Sequence, residues 1–325
     1  MNEGPKLLLA LKEREGLGDR VAAALPGTPF VYLAARSGVD LSEVSAILLG
    51  SPARELGEFR VAETPGLRFL QSIYTGVDQI PFERFPPPVE IAGNVGGFAP
   101  FVSEHAVALI LAAGRDLLGA RRMVEAGRLR PPPAQRPLAG RTVVILGFGE
   151  IGRAIAARLA PFGVRILGVN RTGAMAPGCD AMLPADGLAD ALALGDVVVD
   201  VRPLTAKTRG SIGARELSRM RPDGIFVNVG RAATVDEEAL YRHLESHPEF
   251  RAALDVWWEE GFADGRLQSR FPFAALPNFV GTPHSAAFGP GSEAYALERA
   301  LANLRRFFAG ERPEHPVDRS EYEPS

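Results

Sequence analysis

With 325 residues, 46% of them hydrophobic, the chain is long enough for two cores, because single cores stop growing well before this length. A net charge of −3 leaves no basic field to neutralise a phosphate backbone, so nucleic acid is excluded as a partner. The single cysteine, Cys179, excludes an intrachain disulfide and a multi-thiolate metal centre, and it fits a reducing, cytoplasmic setting.

No run approaches the roughly 20 apolar residues that cross a bilayer. The apolar stretch Leu7 to Leu11 is too brief for a signal-peptide core followed by a cleavage site, so the chain reads as a soluble protein with no membrane partner. The first hundred residues alternate short apolar runs (Lys6 to Leu11, Phe30 to Leu33, Ala46 to Leu49, Leu67 to Tyr74, Val89 to Ala92) with polar or helical stretches such as Leu17 to Leu25. That rhythm predicts a small α/β unit. A long helical pattern follows from about Ala99 to Gly127, with Val102, Ala106, Leu109, Ile110 and Ala113 at helix spacing. Proline then forbids helix over Arg130 to Pro137, which predicts a linker or arm.

From Arg141 the alternation restarts more strongly. Strands are predicted over Thr142 to Leu146, Val164 to Val169, Val197 to Val201, Ile225 to Val229, Arg251 to Val256 and Phe279 to Thr282. Helices are predicted over Glu150 to Pro161, Ala214 to Met220 and Asp236 to Ser246, with a last one over Ser292 to Ala309 before a polar tail. Apolar strands joined by helices imply a parallel sheet covered on both faces, so the fold class is α/β with doubly wound, Rossmann-like parallel sheets.

Gly147, Gly149 and Gly152 stand directly after the first of these strands and open a helix. In such a G-x-G-x-x-G turn the first glycine makes the bend, the second lets the backbone approach a pyrophosphate and the third lets helix pack on strand. Asn170 follows Gly149 by 21 residues, where an acid normally grips the ribose 2′-hydroxyl of NAD. Here Asn170-Arg171-Thr172 offers a neutral side chain, a guanidinium and a hydroxyl, which suit a 2′-phosphate. NADP(H) is therefore the favoured coenzyme, with NAD(H) held through Asn170 as the alternative.

Three further segments, Asn228 to Arg231, Ala253 to Glu260 and Thr282 to His284, each follow an apolar strand. Their side chains are expected at the carboxyl edge of the sheet, where open α/β folds bind ligands. Arg231, Glu260 and His284 form a chemically complete set for reducing a 2-oxo acid: arginine clamps a carboxylate, histidine trades a proton near neutral pH, and a carboxylate beside it fixes the ring. His105, His243, His247 and His315 read instead as surface or packing residues, and no metal is expected.

With these segments in order along nearly its whole length, the chain resembles the D-isomer-specific 2-hydroxyacid dehydrogenase family, which includes glyoxylate and hydroxypyruvate reductases. Further matching stretches are Thr75 to Asp78, Ser103 to His105, Leu138 to Gly152, Pro203 to Thr205 and Asn228 to Asp236. The resemblance implies hydride transfer between NAD(P)(H) and C2 of a small 2-hydroxy or 2-oxo acid. It implies Arg231 on the substrate carboxylate and carbonyl, His284 as acid/base paired with Glu260 rather than Glu259, and the backbone amides of Thr75 and Gly76 on the carboxylate. Coenzyme contacts carried over are Gly147, Gly149, Glu150, Ile151, Gly152, Asn170, Arg171, Thr172, Arg202, Pro203, Val229, Gly230 and Asp255, the last near the nicotinamide amide. It also implies a homodimer joined through a coenzyme domain of 97–284, inserted into a substrate domain of 1–96 plus 285–325.

The chain departs from the family in four places, the first being Asn170, which stands where the family has an acid. Ala232 stands for a usual glycine, which is tolerated only at negative φ; Gly261 stands for a usual proline; and Trp257-Trp258 is unusual, either lining a substrate pocket or packing. Other readings are a phosphite-type or other small-acid dehydrogenase, and a nucleotide-sensing corepressor of the same fold.

Overall fold

The computed structural model describes residues 4, 6–129, 135–261 and 265–322. The chain divides into two compact units, Met1–Phe98 with Gly289–Ser325, and Ala99–Phe288.

In the first unit the elements run β1 (Leu7–Ala10), α1 (Leu17–Ala24), β2 (Phe30–Tyr32), β3 (Ala46–Leu49), α2 (Pro52–Glu55), β4 (Phe69–Ser72) and β5 (Glu90–Ala92). All five strands are parallel, in the order β2-β1-β3-β4-β5. Every residue of β1, β3 and β4 is buried, which is why β1 and β3 are written as unbroken apolar runs and not as an alternating pattern, while β4 buries the polar Gln71 and Ser72 at its end.

The second unit begins with α3 (Ala99–Gly114) and α4 (Leu117–Glu125). The single helical pattern expected over 99–127 is therefore two helices. The break is at Asp116, whose φ of 49° ends α3 and whose carboxylate then caps α4 by accepting the Gly119 N–H at 3.2 Å. Of the proline-rich arm, residues 130–134 lie outside the described residues, and 135–137 carry no regular structure. The unit continues with β6 (Thr142–Leu146), α5 (Glu150–Leu159), β7 (Arg165–Asn170), β8 (Ala181–Pro184), α6 (Leu188–Leu194), β9 (Val197–Asp200), α7 (Ala214–Leu217), β10 (Ile225–Asn228), α8 (Glu237–Ser246), β11 (Arg251–Leu254), β12 (Glu259–Gly261), β13 (Arg266–Gln268) and β14 (Phe279–Gly281).

Seven parallel strands form its sheet in the order β14-β11-β10-β9-β6-β7-β8. The order reverses at β6, so a crevice opens beyond the carboxyl ends of β6 and β9. Phe226, Phe250, Phe273 and Phe279 fill one core layer of this unit with Val144, Leu146 and Val198. β12 and β13 make a separate antiparallel hairpin that places Glu260 opposite Leu267.

The chain returns to the first unit in α9 (Ser292–Phe308). Ala296, Leu297, Ala300, Leu301 and Leu304 bury one stripe of this helix. Phe307 stacks on Phe69 of β4 at 5.0 Å, and Asn303 Nδ2 donates to Gln71 Oε1 at 2.6 Å. Among the described residues no helix is long and apolar enough to cross a membrane, and no group of three or more His, Cys, Asp or Glu side chains is placed to hold a metal ion.

Candidate active site

The glycine turn shows why its three positions cannot carry side chains. Gly147 has φ 92°, and a Cβ there would come within 3.0 Å of the Arg202 backbone nitrogen at the end of β9. A Cβ at Gly152 would stand 2.6 Å from the Gly147 carbonyl oxygen, against which α5 packs. At Gly149, by contrast, a Cβ would meet nothing within 4 Å. Beside this open side, Glu150 and Ile151 begin α5 and present unpaired first-turn N–H groups, so the turn has the room and the polarity for a dinucleotide pyrophosphate.

Along the same edge, the Asn170 carboxamide shapes its own loop. Its Oδ1 accepts the N–H groups of Thr172 at 3.1 Å and Gly173 at 2.7 Å, while Nδ2 donates to the Ala174 carbonyl at 2.8 Å. Arg171 and Thr172 are exposed at the tip of this Asx turn. The Arg202 guanidinium is committed inward: Nε and Nη2 donate to the fully buried Asp200 at 2.9 and 2.7 Å, and Nη1 donates to Ser211 Oγ at 3.0 Å. Pro203 beside it is exposed, and Val229 is buried.

Arg231 follows β10 in a loop that its neighbours hold rigidly. Asn228 Nδ2 and Thr234 Oγ1 both donate to the Arg231 carbonyl, at 3.0 and 2.8 Å, and Asn228 Oδ1 accepts the Gly230 N–H at 3.0 Å. A Cβ at Gly230 would press to 2.9 Å from the Arg202 carbonyl oxygen, so glycine lets the loop lie against the end of β9. Arg231 Nη1 donates to the Gly230 carbonyl at 2.9 Å. Ala232 opens a short 3-10 turn and is not among the residues of positive φ, which removes the reason for a glycine there.

Two strands away, beyond β14, His284 Nδ1 lies 2.7 Å from Glu260 Oε1. The same oxygen accepts the backbone N–H of Trp257 at 2.9 Å. Glu259, the neighbouring acid, is exposed. Successive residues of a strand face opposite ways, so the register of β12 turns one acid inward and the other out.

Both tryptophans pack. Trp258 stacks on Phe273 at 5.4 Å and donates from Nε1 to the Val235 carbonyl at 2.8 Å. Trp257 meets Phe279 edge-on and donates to the Thr282 carbonyl at 2.9 Å. Asp255, expected near a nicotinamide amide, is 1% exposed and accepts from Thr282 Oγ1 and from the Ser285 and Ala286 N–H groups at 2.6, 2.8 and 2.9 Å.

His105, expected at the surface or in packing, is half-buried and also makes a polar contact. Its Nε2 lies 3.0 Å from Thr282 Oγ1, 177 positions away in sequence, so no local pattern could reveal the contact. Thr75 and Gly76 belong to the first unit, in the turn after β4, where Thr75 Oγ1 donates to the Asn94 carbonyl at 2.9 Å.

Comparison with known proteins agrees with this geometry. The family model described as "D-isomer specific 2-hydroxyacid dehydrogenase, NAD binding domain" matches residues 107–286. A glyoxylate reductase of Thermococcus gammatolerans is 33% identical over 260 residues, which are 77% of this chain and 75% of that protein. Among solved structures, the chain is similar to an NADPH-dependent glyoxylate/hydroxypyruvate reductase of Sinorhizobium meliloti in complex with NADP and sulfate. The TM-score is 0.82 at 26% identity, covering 99% of this chain and 100% of that one. It is also similar to a D-isomer specific 2-hydroxyacid dehydrogenase of Xanthobacter autotrophicus Py2 in complex with NADPH and MES, with TM-score 0.81 and 28% identity over 97% and 98% of the two chains. The chain thus belongs to the D-isomer-specific 2-hydroxyacid dehydrogenase family, NAD(P)-dependent oxidoreductases that act on CH–OH donors.

Proposed function

We propose that this dehydrogenase reduces a small 2-oxo acid of the glyoxylate or hydroxypyruvate class, with NADP(H) preferred over NAD(H). The observation that carries the reading is the 2.7 Å contact between His284 Nδ1 and Glu260 Oε1 at the carboxyl edge of the sheet. With Nδ1 committed to the carboxylate, Nε2 is the nitrogen that delivers a proton to the carbonyl oxygen of the substrate, and Glu260 fixes the orientation of the ring. Arg231, in the loop after β10, whose strand lies two from β14 in the sheet, grips the substrate carboxylate and polarises the carbonyl.

The Gly147–Gly152 turn holds the pyrophosphate, and Arg171 with Thr172 receives the 2′-phosphate. When bound, the nicotinamide supplies the hydride that reaches C2. The relatives from Sinorhizobium meliloti and Xanthobacter autotrophicus, whose structures hold NADP and NADPH, support the coenzyme assignment.

The same reading makes the protein a homodimer joined through α4, where Leu117, Leu118 and Val124 stand 54%, 40% and 77% exposed. A reducing, cytoplasmic setting suits its single thiol. The test is NADPH oxidation measured with glyoxylate, hydroxypyruvate and pyruvate for wild type and His284→Ala. Turnover that survives the substitution would take His284 out of the chemistry, and no turnover on any of the three acids would remove the substrate class.

A further inference from the structure

One polar cluster, with Asp255 buried and His105 and Thr282 half-buried, joins α3 to the turn that carries His284. His105, on α3, places Nε2 3.0 Å from Thr282 Oγ1 and 3.4 Å from Asp255 Oδ1. Thr282 Oγ1 lies 2.6 Å from the same Asp255 oxygen. An ionised carboxylate has no proton to give, so the threonine hydroxyl donates to Asp255, and its oxygen is left to accept the Nε2–H of His105. The direction of the chain is thereby fixed, from His105 through Thr282 to Asp255, and with it the tautomer of His105.

Asp255 spends its remaining capacity on backbone, taking the Ser285 N–H on Oδ1 and the Ala286 N–H on Oδ2. Those are the two residues after His284, and Thr282 is two before it. His284 itself has φ 52°, a left-handed conformation that a residue with a side chain keeps only where its surroundings over-determine it. Burial alone would raise the Asp255 carboxyl, but the hydrogen bonds from His105, Thr282, Ala286 and Ser285 hold it below its ordinary value.

We propose that His105 is a positioning residue for the reaction, acting through Thr282 and Asp255 to hold the 282–286 turn in the conformation that aims His284. The proposal rests on His284 being the proton donor. It requires a donor at Nε2, whereas a packing residue would need only the volume of the ring.

Full-length wild type is compared with His105→Gln, His105→Leu, Thr282→Val, the double variant His105→Leu/Thr282→Val, and His284→Ala. His105→Leu and Thr282→Val should each lower kcat roughly 10- to 100-fold, the usual effect of a small misplacement of a reacting group, with KM for NADPH changed by less than about threefold. His105→Gln, whose amide N–H reaches nearly the same point, should restore most of kcat. The double variant should be no worse than the worse single one, because both substitutions break one chain. If His284→Ala is inactive while His105→Leu keeps full kcat, or if the glutamine and leucine variants lose equally, the positioning role is overturned and the site reading stands. Activity that persists in His284→Ala overturns both.

A readout independent of turnover is available because the chain has five histidines. With histidine labelled at Cε1, the His284 resonance, assigned by its loss in His284→Ala, should move or broaden in Thr282→Val and stay in place in His105→Gln. A His284 signal unmoved in Thr282→Val overturns the proposal even without a substrate.

Discussion

Glu260 Oε1 accepts two hydrogen bonds at once, from the backbone N–H of Trp257 at 2.9 Å and from His284 Nδ1 at 2.7 Å. Its carboxylate is thus tied to its own hairpin and to the imidazole together, and with 13% exposure against 27% for His284 the pair is partly screened from water. Glu260→Gln keeps an oxygen for Trp257 and nearly the same shape but removes the charge, so the protonated ring loses its counter-charge. Reduction needs the protonated ring. kcat/KM for reduction should therefore fall, and by more than kcat/KM for oxidation, which starts from the neutral ring. Values equal to wild type in both directions would show that Glu260 does not act on His284, and Glu259→Gln would then be measured.

Arg231 stands on a loop whose backbone is fixed by Asn228 and Thr234, so a change at its side chain alters the guanidinium and little else. Arg231→Lys retains a positive charge but loses the planar pair of donors that matches a carboxylate. Activity should fall by about 100-fold or more, with coenzyme affinity within about twofold of wild type, since two charge-assisted bonds worth roughly 1.5–3 kcal/mol each are disrupted. The check is kcat/KM for the acid alongside NADPH titration by fluorescence. A lysine variant of unaltered turnover would remove Arg231 from the substrate site.

Coenzyme choice turns on the loop that Asn170 folds. With its carboxamide occupied by Thr172, Gly173 and Ala174, Asn170 serves as scaffold, and the proposed discrimination between coenzymes is assigned to the exposed Arg171. Wild type should show a larger kcat/KM with NADPH than with NADH. Arg171→Ala should erode that ratio by roughly 10-fold or more, the worth of one charged hydrogen bond. A wild type that prefers NADH tenfold would refute this assignment of the loop.

The parts of the fold legible in the sequence are those whose cause is local. Leu7–Ala10, Ala46–Leu49 and the valines 197–199 are buried throughout, so they read as unbroken apolar runs, and the glycine turn announces itself because backbone contacts at Gly147 and Gly152 forbid any side chain. What escaped has non-local causes. β8 lies at the sheet edge, only half-buried along Ala181 to Leu183, and its short Ala-Met-Leu-Pro run has no β-branched or aromatic residue to mark it as a strand. β12 is written Glu-Glu-Gly, and its conformation comes from pairing with Arg266–Gln268, not from propensity. The break at Asp116 sits inside an otherwise helical pattern. His105 lies on α3 in a sequence no different from a packed helix, and its partners are supplied by β11 and β14, which the chain reaches some 150 residues later.

His243 offers a test of stability that is separate from catalysis. It lies in α8 with its ring stacked on His247 at 4.1 Å and edge-on to Phe250, and its Nε2 is buried with no hydrogen-bond partner among the described residues. Burial, reinforced by the neighbouring His247, pushes its pKa down from 6.5 to about 4. The sign follows directly. Above pH 6.5 the residue is neutral in both folded and unfolded chains and contributes no pH dependence. As pH falls from 6.5 toward 4 the unfolded chain takes up a proton that the folded chain refuses, so stability is progressively lost. Below about 4 both states are protonated, and the penalty stops growing. His243→Phe keeps a flat ring against Phe250 and cannot titrate. The variant should therefore gain on wild type by about 1–2 kcal/mol between neutral pH and pH 4, a figure reduced from the full shift because the ring is only half-buried. Urea unfolding of both proteins at pH 7.5, 5.5 and 4.5 decides it: a stability difference constant across the three would mean that His243 takes up its proton equally in the folded and unfolded chain.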